Sequence, residues 1–557
     1  MPSDMTFGKT TSSTSPYIEN ELEVKPIATI PTDIAFQADL NSKSFADARR
    51  GTLSQISEIA KLPVGNKGFT GNVYIDGILW GGNYWTSGSS STKTIDYSFW
   101  NSETASFDDA YDIAQNPYDW FAGEKASMVN ALNSWSAVAN IQFVNAGDNN
   151  KSATLGFYNV GNADANDFLG LLHPPGKDGQ GIGYFNWEGD GWNTDGIAQG
   201  AFSFITLIHE LGHGLGLAHP HDKGGGSSIY PGVTAFGDTG DYGLNQGVYT
   251  TMSYNAGLVN SGGDPGTLDY GYQGTPMAFD IAAIQHLYGA NNSYKTGNDT
   301  YFLPTANQSG TYYSCIWDAG GVDTISGVGA LSGVTIDLND ASLNPAVDGA
   351  GAGGYISSAE GIFGGFTIAN GAIIENADGS AFADLITGNE FNNILNGGAG
   401  NDSLIGESGN DTLNGGAGND SLIGGKGNDS LVGGNDKDIL TGGSGSDRFT
   451  YTDLSQSLLA NYDVITDYSI GDQIDAPSYI VAATLTTSVG NAASLSEAAI
   501  STVLTSGVFT ANSAEAFRVS GLAGTFIAFN DAVAGFNSEN DSLIFLKNYT
   551  LGSVSIV

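Results

Sequence analysis

Between about residues 66 and 290 the apolar positions follow two periods in turn. Strand-like alternation marks VYIDGILW at 73–80 and TIDYSFW at 94–100, and it returns in IQFVNA at 141–146, TLGFYN at 154–159 and GIGYFN at 181–186. A helical period marks EKASMVNALNSWSAVA at 124–139, where Met128, Val129, Leu132, Trp135 and Val138 approximate one apolar face and read as core. A second helix is expected from near Ile197 to about Leu217. A third lies in PMAFDIAAIQHLYGAN at 276–291, where Gly289 marks the C-terminal end and His286 reads as a structural histidine. Beyond about 291 the helical period is lost, and short β-branched runs alternate with Gly, Asn and Asp.

The centre of that all-β region, 379–450, repeats with a period of nine. In register the units are GSAFADLIT, GNEFNNILN, GGAGNDSLI, GESGNDTLN, GGAGNDSLI, GGKGNDSLV, GGNDKDILT and GGSGSDRFT. Sixth positions are Asp384, Asn393, Asp402, Asp411, Asp420, Asp429, Asp438 and Asp447; eighth positions are Ile386, Leu395, Leu404, Leu413, Leu422, Leu431, Leu440 and Phe449. The first column offers hard oxygen ligands that suit Ca²⁺, joined by inward-pointing carbonyls from positions such as Gly398, Gly400, Gly415, Ala417 and Gly424. The second column packs. Two units should make one coil of a parallel β-roll. Glu407, Asp436 and Asn393 depart from the pattern, and their turns are expected to bind calcium weakly.

Length and charge sharpen this division. At 557 residues the chain is expected to hold two or three domains. Residues 1–62 are polar and read as a pro-segment, 63–290 as one globular domain, and 291–557 as the repeat domain with a C-terminal secretion region. The 59 acidic residues against 18 basic ones give a formal charge of −41, which argues against nucleic acid and anionic membranes and favours cations as partners. Disorder is opposed by 27 Phe, 25 Tyr and 8 Trp. The single cysteine, Cys315, excludes an intramolecular disulfide, and no thiol in 1–62 can cap a metal. Neither a secretory signal peptide nor an apolar run of about 18–20 residues is found, so a soluble protein exported by another route is expected.

Chemistry concentrates in HELGHGLGLAH at 209–219. Histidines at i and i+4 share a helix face, so His209 and His213 can present two imidazoles to one ion. Glu210 falls beside them as a general base rather than a ligand. Gly216 can end the helix in a left-handed turn that returns His219 to the same ion. Three imidazoles leave a position open, as in catalytic rather than structural zinc sites.

With these residues in place the chain resembles the metzincins, and within them the serralysin family of bacterial secreted proteases. YTTMSYN at 249–255 matches the Met-turn, which implies that Met252 lies under the zinc and that Tyr254 acts as a mobile zinc ligand and transition-state donor. The likeness also marks a further calcium site at Asp318, Gly320, Asp323 and Glu375. It extends from DGILWGG at 76–82 into the repeats, and implies an α+β metzincin-like catalytic domain followed by an all-β parallel β-roll. His221, Asp222 and Lys223 stand where relatives often carry Gly, Asp and Tyr; His221 could compete for metal or face solvent, and the latter is expected because the ligand set is already complete. The implied activity is zinc-dependent hydrolysis of protein substrates, with Ca²⁺-driven folding outside the cell after passage through an ABC-transporter channel. A substrate strand is expected along GIGYFN. The competing reading is a calcium-dependent surface or adhesive protein built on a non-catalytic scaffold; the intact Glu210 and histidine triad speak against it.

Overall fold

The computed structural model describes residues 61–87, 90–101, 117–162, 168–192, 197–258, 265–550 and 552–557. The expected pro-segment lies outside the described residues except for Lys61 and Leu62. A five-stranded sheet organises the first half, built from β1 (Lys93–Trp100), β2 (Ile141–Asn145), β3 (Leu155–Val160), β4 (Gly170–Leu172) and β5 (Ile182–Asn186). Their spatial order is β2-β1-β3-β5-β4, all parallel except the edge strand β4, which runs antiparallel to β5. Every residue of β3 is buried, as a central parallel strand covered on both faces requires. At Gly156 a β-carbon would lie 2.1 Å from the Trp100 indole, so glycine is the residue that lets that ring cross the sheet.

The stretch VYIDGILW is not a strand. Asn72 Oδ1 accepts from the N–H groups of Tyr74 and Ile75 and starts a single helical turn, α1 (Val73–Asp76). The Asp76 carboxylate in turn accepts from the N–H groups of Thr70 and Gly71. Local side-chain bonds of this kind compete with strand pairing and here prevail. In α2 (Ala122–Val138), Met128, Leu132, Trp135 and Val138 are buried as the periodicity requires, and Val129 is half-buried. Trp135 Nε1 donates to Ile208 O at 3.3 Å and ties α2 to α3 (Phe202–Leu215). The start of α3 is later than expected because residues 197–200 form turns and Ala201 is extended, with φ −84° and ψ 160°. All of α3 is buried. It stops at Gly216, whose φ of 111° suits glycine and where a β-carbon would stand 2.2 Å from Asn83 O.

The last helix of this half is α4 (Ala278–Tyr288), followed by Gly289 at φ 87°. His286 Nε2 lies 3.1 Å from Gly68 O, a structural contact. At its start the buried Asp280 carboxylate binds Met277 N–H, Thr251 N–H and Thr250 Oγ1 at 2.9, 2.6 and 2.6 Å, joining α4 to the turn before Met252.

The repeats form two parallel stacks of six-residue strands. Leu395, Leu413 and Leu431 are neighbours in one, and Leu404, Leu422 and Leu440 in the other, so each coil consumes two nonapeptides. The whole eighth-position column from Ile386 to Phe449 is buried between the stacks. Strands Asp463–Ile465 and Gln473–Asp475 continue them after the repeat has ended. Antiparallel strands Ala514–Val519, Gly524–Phe529 and Ser542–Lys547 then close one stack around Phe517, Phe526 and Phe545. The main hydrophobic core runs from Tyr74 to Ile556, so the change of periodicity near 290 is not accompanied by a break in packing. Among the described residues no helix is long and apolar enough to cross a membrane.

Candidate metal centre

Helix α3 places His209 and His213 one turn apart, and the reversal at Gly216 brings His219 to them. Their Nε2 atoms converge: 3.2 Å separates His209 from each of the others, and 2.9 Å separates His213 from His219. Every Nδ1 is engaged on the far side, His209 with Thr251 O at 2.8 Å, His213 with Leu217 O at 2.9 Å and His219 with Asp222 Oδ2 at 2.8 Å. Carbonyl and carboxylate oxygens accept, so each Nδ1 carries the proton and each Nε2 presents a lone pair. Burial, then the neighbouring imidazoles, hold His209 and His213 far below the usual histidine range and keep them neutral. Three convergent lone pairs repel one another unless a cation stands between them. Tetrahedral zinc with bonds of about 2.0–2.1 Å sets its nitrogens roughly 3.3 Å apart, so the triad fits zinc after small adjustments. Anchoring oxygens on all three rings are the outer contacts that zinc histidines require; Asp222, Thr251 and Leu217 carry no motif that would have identified them as such.

Glu210 is 4% exposed and sits under β4, where a side chain on Gly170 would strike its Cγ at 2.6 Å. Burial pushes its carboxyl up to about 8, opposed by a hydrogen bond from the Leu172 backbone, and Oε2 has no partner. Because β5 is paired on both sides, GIGYFN cannot receive a substrate strand; the edge strand on that side of the sheet is β4. Three residues without alternation gave the sequence no strand signal there. Met252 lies beneath α3, and a β-carbon on Gly212 would approach its Sδ to 2.6 Å. The Tyr254 ring is 5.7 Å from that of His209 and 4.8 Å from that of His219, and burial raises its phenol well above the ordinary range. His221 is half-buried: its ring stacks on His219 at 4.9 Å and lies 4.5 Å from Tyr254, because the Pro220 turn folds it back over the third histidine.

In the roll, sixth-position residues form two ladders. Asp384 N–H donates to Asp402 Oδ1, Asp402 to Asp420, Asp420 to Asp438 and Asp438 to Asp463, at 2.8–2.9 Å. The second ladder joins Asn393, Asp411, Asp429, Asp447 and Asp472 at 2.8–3.0 Å. Oδ2 of Asp402, Asp411, Asp420, Asp429, Asp438 and Asp463 is buried without a partner. Beside these atoms lie first-position carbonyls. A β-carbon on Gly397 would be 2.4 Å from Asp402 Oδ2 and 2.7 Å from Gly415 O, and Gly406 relates in the same way to Asp411 and Gly424 O. Orphaned carboxylate oxygens with carbonyl oxygens beside them fit Ca²⁺. Gly415 and Gly424 therefore stand beside the orphaned oxygens, whereas Ala417 O accepts from Gly400 N and Gly398 O faces Gly416. Glu407 and Asp436 retain the left-handed backbone of the glycines they replace, at φ 74° and 75°.

Upstream, Asp318 and Asp323 meet Asp299, their ligand atoms within 4.8 Å of one another. Gly320 N–H donates to Asp318 Oδ1, and Glu375 accepts from Asp323 N–H at 2.7 Å. Asp299 lies outside any repeat and was not anticipated.

The family model described as Matrixin matches residues 99–240, and the one described as RTX calcium-binding nonapeptide repeat matches 378–413 and 414–449. The chain is 33% identical over 286 residues to Metallopeptidase AprA of Pseudomonas marginalis, covering 48% of this chain and 54% of that protein. It is 36% identical over 272 residues to Serralysin C of Dickeya chrysanthemi, covering 46% and 51%. To a Serralysin of Proteus mirabilis it is 31% identical over 331 residues, covering 56% and 61%. The chain thus spans a little over half the length of the curated relatives it matches.

Proposed function

We propose that this chain, which carries a matrixin domain ahead of RTX calcium-binding repeats, is a secreted zinc-dependent endopeptidase. The observation that carries this reading is the convergence of three Nε2 atoms within 3.2 Å, each backed by an anchored Nδ1. Zinc held by His209, His213 and His219 would supply Lewis acidity, acidifying water and polarising a carbonyl oxygen. An extended peptide adds to the edge strand β4, where main-chain pairing gives affinity without demanding one sequence. Glu210, which burial alone would keep protonated but a dication beside it would ionise, takes the proton of the attacking water on its unpartnered oxygen and passes it to the leaving amine. Tyr254, kept protonated by burial, donates a hydrogen bond to the developing oxyanion.

Calcium belongs to the other half. The ladder aspartates, the Gly415 and Gly424 carbonyls and the Asp299, Asp318 and Asp323 group hold Ca²⁺, whose binding free energy becomes folding free energy outside the cell. Export as an unfolded chain through an ABC-type channel, and obstruction of the site by residues 1–62, complete the reading. Hydrolysis of denatured casein tests it. Glu210→Gln should lower kcat by about 10³-fold while one zinc equivalent is retained; equal inactivity of the two forms would return the protein to the scaffold reading, and equal activity would count against Glu210 as the base.

A further inference from the structure

Next to the triad stands a second group of ligands that hydrolysis leaves unused. Ligand atoms of His219, His221 and Asp222 all lie within 4.8 Å of one another. The His221 ring is nearly parallel to His219, at 15°, and its Nδ1 is buried with no hydrogen-bond partner. A buried polar atom left without a partner calls for an explanation. Asp222 uses Oδ2 to orient His219 and Oδ1 to accept from Gly224 N–H at 2.7 Å, which still leaves a lone pair on each oxygen.

One imidazole and one carboxylate suit a borderline dication such as Zn²⁺ and suit Ca²⁺ poorly. We propose that His221 and Asp222 form a second, weaker zinc site on the rim, and that its occupation inhibits the centre. This rests on the zinc reading of the triad. Two protein ligands in place of three make the site weak, and Lys177, which lies within electrostatic reach of Asp222, opposes a further cation. An ion there draws the Asp222 carboxylate away from the His219 Nδ1–H it anchors. The class of regulator is therefore free zinc in excess of the first equivalent.

Equilibrium dialysis of the calcium-saturated Glu210→Gln protein against zinc, with metal counted by atomic emission, tests the site apart from activity. One tight equivalent and a second about 100-fold weaker or more are expected. His221→Phe in the same background keeps the stacked ring, removes its nitrogens and should lose only the weak equivalent; His221→Gln serves if the first variant does not fold. In the otherwise unaltered protein, casein hydrolysis should fall over the zinc range in which the weak equivalent fills, and His221→Phe should move that inhibition upward by about 10-fold or more. A weak equivalent undiminished in both His221 variants, or its absence from the parent protein, would overturn the inference. Loss of the tight equivalent instead would strike the triad.

Discussion

The two ion-binding regions prepare for their cations in opposite ways. At the triad the ligands are imidazoles, and each ring is fixed from behind by an oxygen that belongs to the packed core or to a turn beside it. In the roll the ligands are mostly carboxylates stacked in columns, six of them with an orphaned oxygen. Without an ion the first arrangement sets three lone pairs against one another inside a packed frame, whereas the second keeps carboxylates at close range along a column that they themselves must hold together. The lesson is that one site is built by the fold and the other helps to build it.

Calcium withdrawal is the strongest way to break that contrast. At pH 8, chelation of calcium should abolish the cooperative thermal transition of the roll, followed by circular dichroism. The same treatment at pH 5 should leave part of it. Burial, and then neighbouring carboxylates, raise Asp411 and Asp438 to about 7 and Asp402 and Asp447 to about 6. A carboxyl raised in the folded state holds its proton more tightly there than in the unfolded chain. Its stabilising contribution is complete below the unfolded value of about 3.9 and disappears as pH climbs through 6 to 7. Calcium-free protein that is more folded at pH 8 than at pH 5 would contradict this account.

A smaller effect is expected where the fold builds the zinc site. Gly212→Ala would drive a methyl into Met252 Sδ, so thermal denaturation of the calcium-loaded protein should show a loss of about 1–3 kcal/mol. Unchanged stability would mean that the Met-turn does not press on α3. Smallest is Glu407→Gly, which removes a non-glycine residue from φ 74° and should stabilise the calcium-loaded roll by about 1 kcal/mol. A lowered midpoint in denaturant would show that the Glu407 side chain contributes more than its backbone costs.

Legibility followed locality. His209, Glu210, His213 and His219 could be placed from spacing because one helix and one glycine turn fix them, and the eighth-position column because it repeats. Thr251 O and Asp280 could not, since their roles depend on a loop meeting α3 and α4 from 30 or more residues away. The strand reading of 73–80 failed because Asn72 and Asp76 offer bonds that alternation does not register. Asp463 and Asp472 escaped notice because the interval to their partners lengthens from 18 residues to 25, although the same donor–acceptor rung is preserved.

That rung has a consequence for how the molecule can vary. Within the repeats the ladder joins each aspartate to the one a full coil away, 18 residues along, while the intervening nonapeptide belongs to the opposite wall. Excising residues 406–423 would rejoin like with like and yield a shorter tower, whereas removing nine would exchange its left and right sides. Length in this region is quantised, and lineages can gain or shed storeys only whole.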